Sequence, residues 1–367
     1  MKYKILSSAL FAMVLSTGQV VAGPVKMSPL HVAGTSIVDA HGHRVVLQGV
    51  NIPGIEWSNN GDHNVDSTKV AINDWHARII RVPLSEDRWF GKASGQTDDG
   101  KAYRELVHTV VKIAADAGVY TILDLHWSTP GQWGVDIGQH KMPDQNSLKF
   151  WTSVASTYAN APSILFDLYN EPHDISWDIW QYGGEITDHR GKDEPDRTYL
   201  TPGMQNLLDT VRATGARNMV IVGGPGWASD LSGLASGHAL KDPHGNGVVY
   251  ADHFYPFGGE TVDQWESRMA DAAKQAPIFI GEFGSDPAGG HGETGPEWVQ
   301  HVLRVVNKHG WSWTAWCFHP SASPCMLKDW TYTPSAHFGV FVKDALALPL
   351  LSKERAGVRF PVPSEGK

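Results

Sequence analysis

Short apolar runs alternate with helical stripes along the chain. Eight such runs occupy residues 45–50, 79–84, 119–125, 164–169, 219–222, 248–251, 278–280 and 313–316. Several of them are continuously apolar, which is typical of parallel strands covered by helices on both faces. Between the runs, apolar residues recur at the spacing of one buried helix face. One such stripe is Leu106, Val110, Ile113 and Ala117, and Gly118 follows it as a stop signal.

The eight strand–helix repeats predict a (β/α)8 barrel, the TIM barrel. A doubly wound open sheet is the alternative that the pattern alone allows. A hairpin precedes the first barrel strand, because residues 37–39 and 45–47 flank the turn Ala40-His41-Gly42-His43. We expect this hairpin to cap the bottom of the barrel. Residues 23–367 contain no Pro/Ser/Thr-rich linker and no repeat, so they are predicted to form one domain.

The first residues have the pattern of a targeting signal. Lys2 and Lys4 precede a short apolar run over residues 5–15, and Val20-Val21-Ala22 offers a cleavage site. We therefore predict a secretory signal peptide over residues 1–22 and a secreted or periplasmic protein. An uncleaved anchor is the alternative, although the run is too short to span a bilayer. In an oxidising compartment a Cys317–Cys325 disulfide is expected, the alternative being a buried free thiol at Cys317.

The amino-acid composition argues against several classes of function. The 367-residue chain has a net charge of −9 and is 41% hydrophobic, so it can bury a full core. We find no basic stripe, which argues against nucleic-acid binding. Two cysteines exclude a disulfide-rich scaffold. Tryptophan is the outlier, with 15 residues, and exposed tryptophans often stack against flat ligands.

Polar and aromatic residues collect where the predicted strands end. In a barrel these ends meet at one face, where the chemistry of such folds takes place. Glu171 and Glu282 follow the fourth and seventh strands, and so should point into one cleft. A pair of carboxyl groups on either side of a bond is the requirement for glycoside hydrolysis.

The motifs at these strand ends resemble those of glycoside hydrolase family 5, a family of retaining clan A barrels of the cellulase type. Asn170-Glu171-Pro172 follows an apolar strand, and Gly281-Glu282-Phe283-Gly284 comes later. The resemblance runs from about residue 49 to residue 316. The eight active-site positions of the family match Arg81, His126, Asn170, Glu171, His253, Tyr255, Glu282 and Trp316. The resemblance implies no metal and no cofactor.

The resemblance also implies the catalytic roles. Glu282 would be the nucleophile, and Glu171 the general acid and then the general base. Arg81 would keep Glu282 ionised, because a nearby cation favours the charged form of a carboxyl, and Tyr255 would donate to the same carboxylate.

The remaining matched positions would bind the sugar. Asn170 would hydrogen-bond the 2-hydroxyl, and His253 would lie near Glu171. His126 would lie near another hydroxyl, and Trp316 would form the floor under the sugar at the cleavage site. Core packing is the alternative for His126 and for Trp316, and a buried ion pair is the alternative for Arg81.

Further tryptophans lie on or near the loops after the predicted strands. They are candidate sugar platforms, and ordinary loop packing is the alternative for each. As a set they favour a polymer or oligosaccharide as the ligand. The residues are Trp57, Trp127, Trp133, Trp177, Trp180 and Trp227.

Two weaker signals concern metals. His41 and His43 have the spacing of a zinc pair, but they lie in the hairpin turn on the wrong side of the barrel. A solvated turn is therefore the favoured interpretation. An acidic loop, with Asp188, Asp193, Glu194 and Asp196, leaves calcium binding open beside a solvated loop.

Together these features predict a secreted retaining β-glycoside hydrolase. We expect an endo-β-1,4-glucanase that acts on a β-linked polysaccharide or oligosaccharide, as a monomer, without nucleic acid or membrane partners. A β-mannanase or another β-glucan or oligosaccharide hydrolase of the family is the alternative within the class. The alternatives from other classes are a non-catalytic sugar-binding barrel and a metal-dependent hydrolase.

Overall fold

The computed structural model describes residues 27–159, 161–189, 195–287 and 294–348. The strands are β1 (His31–Ala33), β2 (Ser36–Val38), β3 (Gln48–Asn51), β4 (Ile79–Ser85), β5 (Tyr120–Trp127), β6 (Ile164–Asp167), β7 (Gly184–Asp188), β8 (Arg197–Thr201), β9 (Val220–Gly223), β10 (Val248–Phe254), β11 (Ile278–Phe283) and β12 (Ser312–Ala315). The helices are α1 (Asn64–Asn73), α2 (Glu86–Trp89), α3 (Lys101–Asp116), α4 (Asn146–Tyr158), α5 (Trp177–Tyr182), α6 (Gly203–Ala213), α7 (Val262–Ala272), α8 (Gly295–His309) and α9 (Gly339–Ala347).

The predicted barrel is confirmed. The order β10-β11-β12-β3-β4-β5-β6-β9 closes on itself, and each neighbouring pair in it is parallel. Each of the eight predicted apolar runs contributes one of these strands. The open-sheet alternative is wrong, because β12 pairs with β3 and leaves the barrel no free edge.

Alternate residues of the barrel strands pack into two separate apolar cores. In β4, Ile80 and Val82 pack outward in the large core between the strands and the helices. Ile79 belongs instead to a smaller apolar cluster, to which β5 and β11 contribute Ile122 and Phe279. This cluster fills the lower end of the barrel, and Arg81 lies one inward position above it.

The N-terminal segment closes that lower end, as the sequence predicts, although its pairing differs in detail. β1 and β2 form an antiparallel hairpin. The expected hairpin around His41 is also present, because Val38 and Arg44 form an antiparallel bridge and the Val45 amide donates to the Ile37 carbonyl at 2.9 Å. Leu30 and Ile37 are buried in the lower cluster, so the segment covers it from below.

Two predictions concern residues that the structure does not describe. The signal peptide over residues 1–22 lies outside the described residues, and so do Asp193 and Glu194 of the acidic loop. Within the described part of the chain, no helix has the length and apolarity needed to cross a bilayer.

Closure of the barrel depends on a glycine in β3. A Cβ at Gly49 would lie 1.7 Å from the Ile79 carbonyl oxygen of the neighbouring strand. We therefore expect Gly49→Ala to reduce the free energy of unfolding by at least about 2 kcal/mol, because overpacking forces the backbone to move. Urea denaturation measures the effect.

Gly258 supplies the matched control for this substitution. Nothing lies within 4 Å of a Cβ built there. Gly258→Ala should therefore change the free energy of unfolding by no more than about 0.5 kcal/mol. Equal urea midpoints for the two variants would contradict the proposed role of Gly49.

Candidate active site

All eight residues matched by sequence lie at the C-terminal end of the barrel. Arg81, His126, His253 and Glu282 are within strands β4, β5, β10 and β11. The others lie within four residues after the ends of β6, β10 and β12, and they are Asn170, Glu171, Tyr255 and Trp316. The hydrogen bonds described below join these side chains into one site.

The two glutamates face each other across a short gap. A carboxylate oxygen of Glu171, a carboxylate oxygen of Glu282 and a ring nitrogen of His253 all lie within 4.8 Å of one another. Carboxyl groups about 5–5.5 Å apart allow direct attack by one of them, whereas a separation of about 6.5–9.5 Å leaves room for a water. The observed spacing fits the first case.

Both oxygens of Glu282 accept a strong hydrogen bond. Arg81 Nη1 donates to Oε1 at 2.7 Å, and the Tyr255 hydroxyl donates to Oε2 at 2.6 Å. Burial, together with the charge of Glu282, holds the pKa of Tyr255 well above its usual value, so this hydroxyl keeps its proton. The arrangement stabilises Glu282 as an anion that points into the cleft.

Arg81 is fully buried, and each of its three guanidinium nitrogens donates a hydrogen bond. Its Nε donates to Asp167 Oδ2 at 3.0 Å, and its Nη2 lies 3.0 Å from Asp124 Oδ2. Nη1 donates to Asn51 Oδ1 at 3.0 Å, and Nη2 donates to Asn170 Oδ1 at 2.8 Å. The guanidinium therefore fixes four side chains from three other strand ends, those of β3, β5 and β6, relative to Glu282.

The charge of Arg81 does not balance all the carboxyl groups around it. Burial raises the pKa of Asp124 to about 7, against the attraction of Arg81 and with some repulsion from Glu171. Burial likewise raises the pKa of Asp167 well above its usual range, although Arg81 opposes the shift. Burial therefore shifts both aspartates towards their protonated forms, against the attraction of Arg81.

Glu171 lies in a less polar setting than Glu282. Burial raises the pKa of its carboxyl to about 7, against the opposing influence of His126 and Arg81. Burial also lowers the pKa of His253 to about 3, so this ring is neutral. Its Nδ1 lies 2.9 Å from Glu171 Oε1, where a neutral imidazole donates to the carboxylate. Glu171 can thus hold a proton near pH 7, as a general acid must.

A bulge between β10 and β11 sets the position of His253. Asp252 pairs with Ile280, whereas His253 pairs with Glu282, so Gly281 is the extra residue. Asp252 points outward and accepts from the Trp265 indole at 2.8 Å. His253 faces the cleft instead, and its ring packs where a side chain at residue 281 would otherwise be.

His126 and Trp316 form a flat pair beside the glutamates. Their rings are parallel within 8°, with centroids 5.2 Å apart. His126 Nδ1 lies 2.6 Å from Asp124 Oδ2, so the aspartate links this pair to Arg81. Burial lowers the pKa of His126 to about 4, which keeps its ring neutral near a substrate.

The tryptophans predicted as sugar platforms divide into different environments. Trp227 is 49% exposed, and its ring stacks on His173 at 3.6 Å, directly after Pro172 of the Asn-Glu-Pro motif. Trp57, Trp127, Trp133 and Trp177 are partly exposed. Trp180 is a wrong prediction, because it is fully buried and its indole donates to the Gly223 carbonyl at 2.8 Å. No face of Trp180 is available to a sugar.

Sequence reasoning missed several residues of the site. Asp167 had a detectable signal, since it is an acid inside an apolar run, as Arg81 is a base inside another. Asn51 also had one, since it directly follows the predicted strand at residues 45–50, whereas Gln139 had none. Gln139 Oε1 accepts from Asn170 Nδ2 at 3.0 Å, and its amide donates to the Glu171 carbonyl at 2.9 Å.

Two exposed aromatic side chains near the site were also missed. Phe257 is 59% exposed and stacks on Tyr255 with centroids 5.6 Å apart. Trp330 is partly exposed and stacks on His63 at 4.1 Å. Both extend the aromatic surface around the cleft.

The predicted disulfide requires a correction. Cys317 and Cys325 are both free thiols in the structure. Cys317 is buried, and its thiol points to the Ala322 carbonyl, to which it donates at 2.9 Å. This matches the free-thiol alternative.

The weaker metal signals lie apart from the glutamates. His41 and His43 lie in the exposed turn below the barrel, where His43 Nδ1 is 3.3 Å from Asp39 Oδ2. In the acidic loop, Asp188 contacts His140 at 2.6 Å and Asp196 contacts His189 at 2.7 Å. Their carboxylates therefore take part in hydrogen bonds with histidines.

Comparison with known proteins agrees with this geometry. Endoglucanase E-5 of Thermobifida fusca is 25% identical over 293 residues, which are 78% of this chain and 55% of that protein. Endoglucanase N of Pectobacterium atrosepticum is 28% identical over 317 residues, which are 84% of this chain and 62% of that protein. The chain thus spans between about half and two thirds of the length of these relatives.

The fold is also shared with solved structures. A β-glucanase from Saccharophagus degradans, crystallised with cellotetraose, matches with a TM-score of 0.67 at 22% identity. The match covers 88% of this chain and 94% of that one. The family model for cellulases of glycosyl hydrolase family 5 matches residues 38–322, which include every residue of the site described above except Trp330. The chain belongs to glycosyl hydrolase family 5.

Proposed function

We propose that this protein is a retaining glycoside hydrolase that cleaves internal β-1,4 bonds of a glucan. The observation that carries the proposal is the pair of glutamates with carboxylate oxygens within 4.8 Å, of which Glu282 accepts from Arg81 and Tyr255 and Glu171 can hold a proton. Two carboxyl groups at this spacing, in opposite environments, are what double displacement requires. The endoglucanase relatives support the same reaction.

In the first step, Glu282 attacks the anomeric carbon and forms a covalent glycosyl ester. The glycosidic C–O bond breaks, and Glu171 gives its proton to the leaving oxygen. As the ester forms, Glu282 loses the charge that Arg81 and Tyr255 stabilise. Their hydrogen bonds fix the carboxylate at the correct angle for attack.

In the second step, Glu171 acts as a base. It removes a proton from a water that attacks the anomeric carbon from the side the first sugar left. The ester bond to Glu282 breaks, and the product keeps the β configuration.

Asn170 is oriented to assist both steps. Its Oδ1 accepts from Arg81, so its amide nitrogen points away from the guanidinium. One hydrogen of Nδ2 goes to Gln139 at 3.0 Å. The second hydrogen remains for the sugar 2-hydroxyl, a contact that strengthens in the oxocarbenium-like transition state.

The aromatic surface supports an extended substrate. Trp227, Phe257 and Trp330 each expose a ring that another ring holds in place. Such rings stack against pyranose faces without requiring a charge on the ligand. We therefore favour a polymer chain, with a β-glucan before a β-mannan, and we propose that residues 1–22 direct the enzyme to secretion.

A panel of soluble polysaccharides tests the proposed function. We expect reducing-sugar release from a cellulose derivative and from mixed-linkage glucan. Glu282→Ala should reduce the rate by about 10⁴-fold, because the nucleophile is lost. Glu185→Ala, which changes an exposed glutamate on β7, is the matched control and should leave the rate unchanged.

The other outcomes are equally informative. Release from galactomannan alone would replace the glucanase by a mannanase. Binding without release from any substrate would favour the non-catalytic barrel. Following the first-formed anomer by NMR tests the mechanism separately, because an initial α product would contradict retention.

The pH profile tests the role of Glu171. With a pKa of about 7, its carboxyl is protonated below neutrality and ionised above it. We expect kcat/KM on a soluble glucan to fall about tenfold per pH unit above pH ~7. A dinitrophenyl β-cellobioside needs no proton on its leaving group, so its kcat/KM should not fall in that range. A fall with both substrates would assign the titration to Asp124 instead.

Gly281 offers a test of how His253 is positioned. A Cβ there would lie 2.7 Å from His253 Nε2 and would displace the ring from its position beside Glu171. Gly281→Ala should lower kcat/KM by about 10–100-fold, because a displacement of about 1 Å at a catalytic group has effects of this size. Thermal unfolding by circular dichroism would verify the fold.

A double-variant cycle supplies the control for this prediction. If Gly281→Ala acts through His253, it should have little further effect in a His253→Ala background. Additive losses in the double variant would show that it acts elsewhere.

A further inference from the structure

A groove of about 520 Å³ lies on the outer rim of the barrel, between the first turns of α3 and α4. We call it the rim groove. Its walls are Phe90, Lys92, Asp99, Arg104, Trp133 and Lys149, with Ser153 at one side. Among the described residues that line it are none of the eight active-site residues. The rim groove is therefore separate from the catalytic cleft.

Trp133 forms the aromatic wall of the rim groove. The sequence placed this residue among the candidate platforms of the cleft. Its ring packs instead edge-to-face on Phe90, with centroids 5.4 Å apart, and both side chains are partly exposed. A flat apolar ring in a solvent-filled groove is a surface for a sugar ring.

The loop that carries Trp133 is held by buried carboxylates. The Gly131 amide donates to Asp144 Oδ2 at 2.8 Å, and the Gly134 amide donates to Asp87 Oδ1 at 2.5 Å. Both aspartates are fully buried. The ring of Trp133 is thus fixed from either side of the loop, and a ligand would bind it without an ordering penalty.

The opposite walls of the rim groove are basic. Lys92, Arg104 and Lys149 face a single carboxylate, Asp99, which pairs with Arg104 at 3.2 Å. The Lys149 ammonium lies 5.7 Å from the centre of the Trp133 ring. This excess of cations is a local property, because the chain as a whole has a net charge of −9.

We propose that the rim groove binds an acidic saccharide, with a uronate ring stacked on Trp133 and its carboxylate between Lys92 and Lys149. The aromatic wall selects a flat ring with an apolar face, and the two lysines select a negative charge on that ring. A neutral glucan would offer neither ammonium group an opposite charge. The proposal rests on the proposed function only in that the protein meets polysaccharides.

Isothermal titration calorimetry with a tetragalacturonate tests the proposal. We expect binding that weakens at high salt, because the carboxylates and lysines are exposed and therefore screened. Trp133→Ala should weaken the affinity at least about tenfold, the effect of losing an aromatic platform. The pair Lys92→Gln and Lys149→Gln should weaken it by a similar factor.

Matched control variants and control ligands test whether the binding is specific to the rim groove. Lys69→Gln with Lys112→Gln removes two exposed lysines from other helix faces and should leave the affinity unchanged. Cellotetraose, which is neutral, and a tetraglutamate peptide, which is acidic without a sugar ring, should not compete for the groove. The proposal would be overturned if tetragalacturonate did not bind, or if the groove variants left its binding unchanged. Equal competition by either of the two control ligands would also overturn it.

A second readout separates this proposal from the proposed function. Lys92→Gln with Lys149→Gln should hydrolyse soluble glucan at the parental rate, because neither residue belongs to the cleft. Calorimetry measures binding without turnover. Its outcome therefore stands whether or not the polysaccharide panel identifies a glucanase.

Discussion

One buried guanidinium organises the upper half of this barrel. Arg81 lies within 3.0 Å of side chains from β3, β5 and β11 and from the end of β6. A buried charge of this kind is tolerated only when its donors are matched by acceptors. The residues that satisfy Arg81 are thereby held in place, and they include the glutamate and the asparagine that a sugar would meet. The hydrogen bonds that satisfy the buried charge of Arg81 are therefore also the ones that position the site.

This requirement also explains why two similar carboxyl groups differ. Glu282 takes one donor from Arg81 and one from Tyr255. Glu171 is partly buried beside a neutral His253, and desolvation raises its pKa to about 7. The two glutamates thus differ in the donors that their neighbours supply. Because those neighbours come from different strands, the barrel must close before the difference exists.

The sequence predicts the strands and the eight matched residues, because each follows a run of buried hydrophobic residues. The sequence predicts the environment of a side chain less well where that environment depends on tertiary packing. Trp180 resembles its neighbour Trp177 in sequence, yet only the structure shows that its indole is fully buried. Trp133 lies in the rim groove because Asp87 and Asp144 hold its loop, and neither contact is visible as a motif. Asn51 and Gln139 contribute through hydrogen bonds across long sequence separations, which periodicity does not reveal.

The apolar cluster at the lower end of the barrel has a consequence for how such a protein can change. Its residues, covered from below by Leu30 and Ile37, contribute cohesion, and none of them is among the eight matched residues of the cleft. The polar groups around Arg81 carry the chemistry at the other end. Mutations that improve heat resistance can accumulate below, while mutations that alter ligand preference accumulate above, with little conflict between them. Substitutions at the two ends can therefore accumulate independently within one continuous fold.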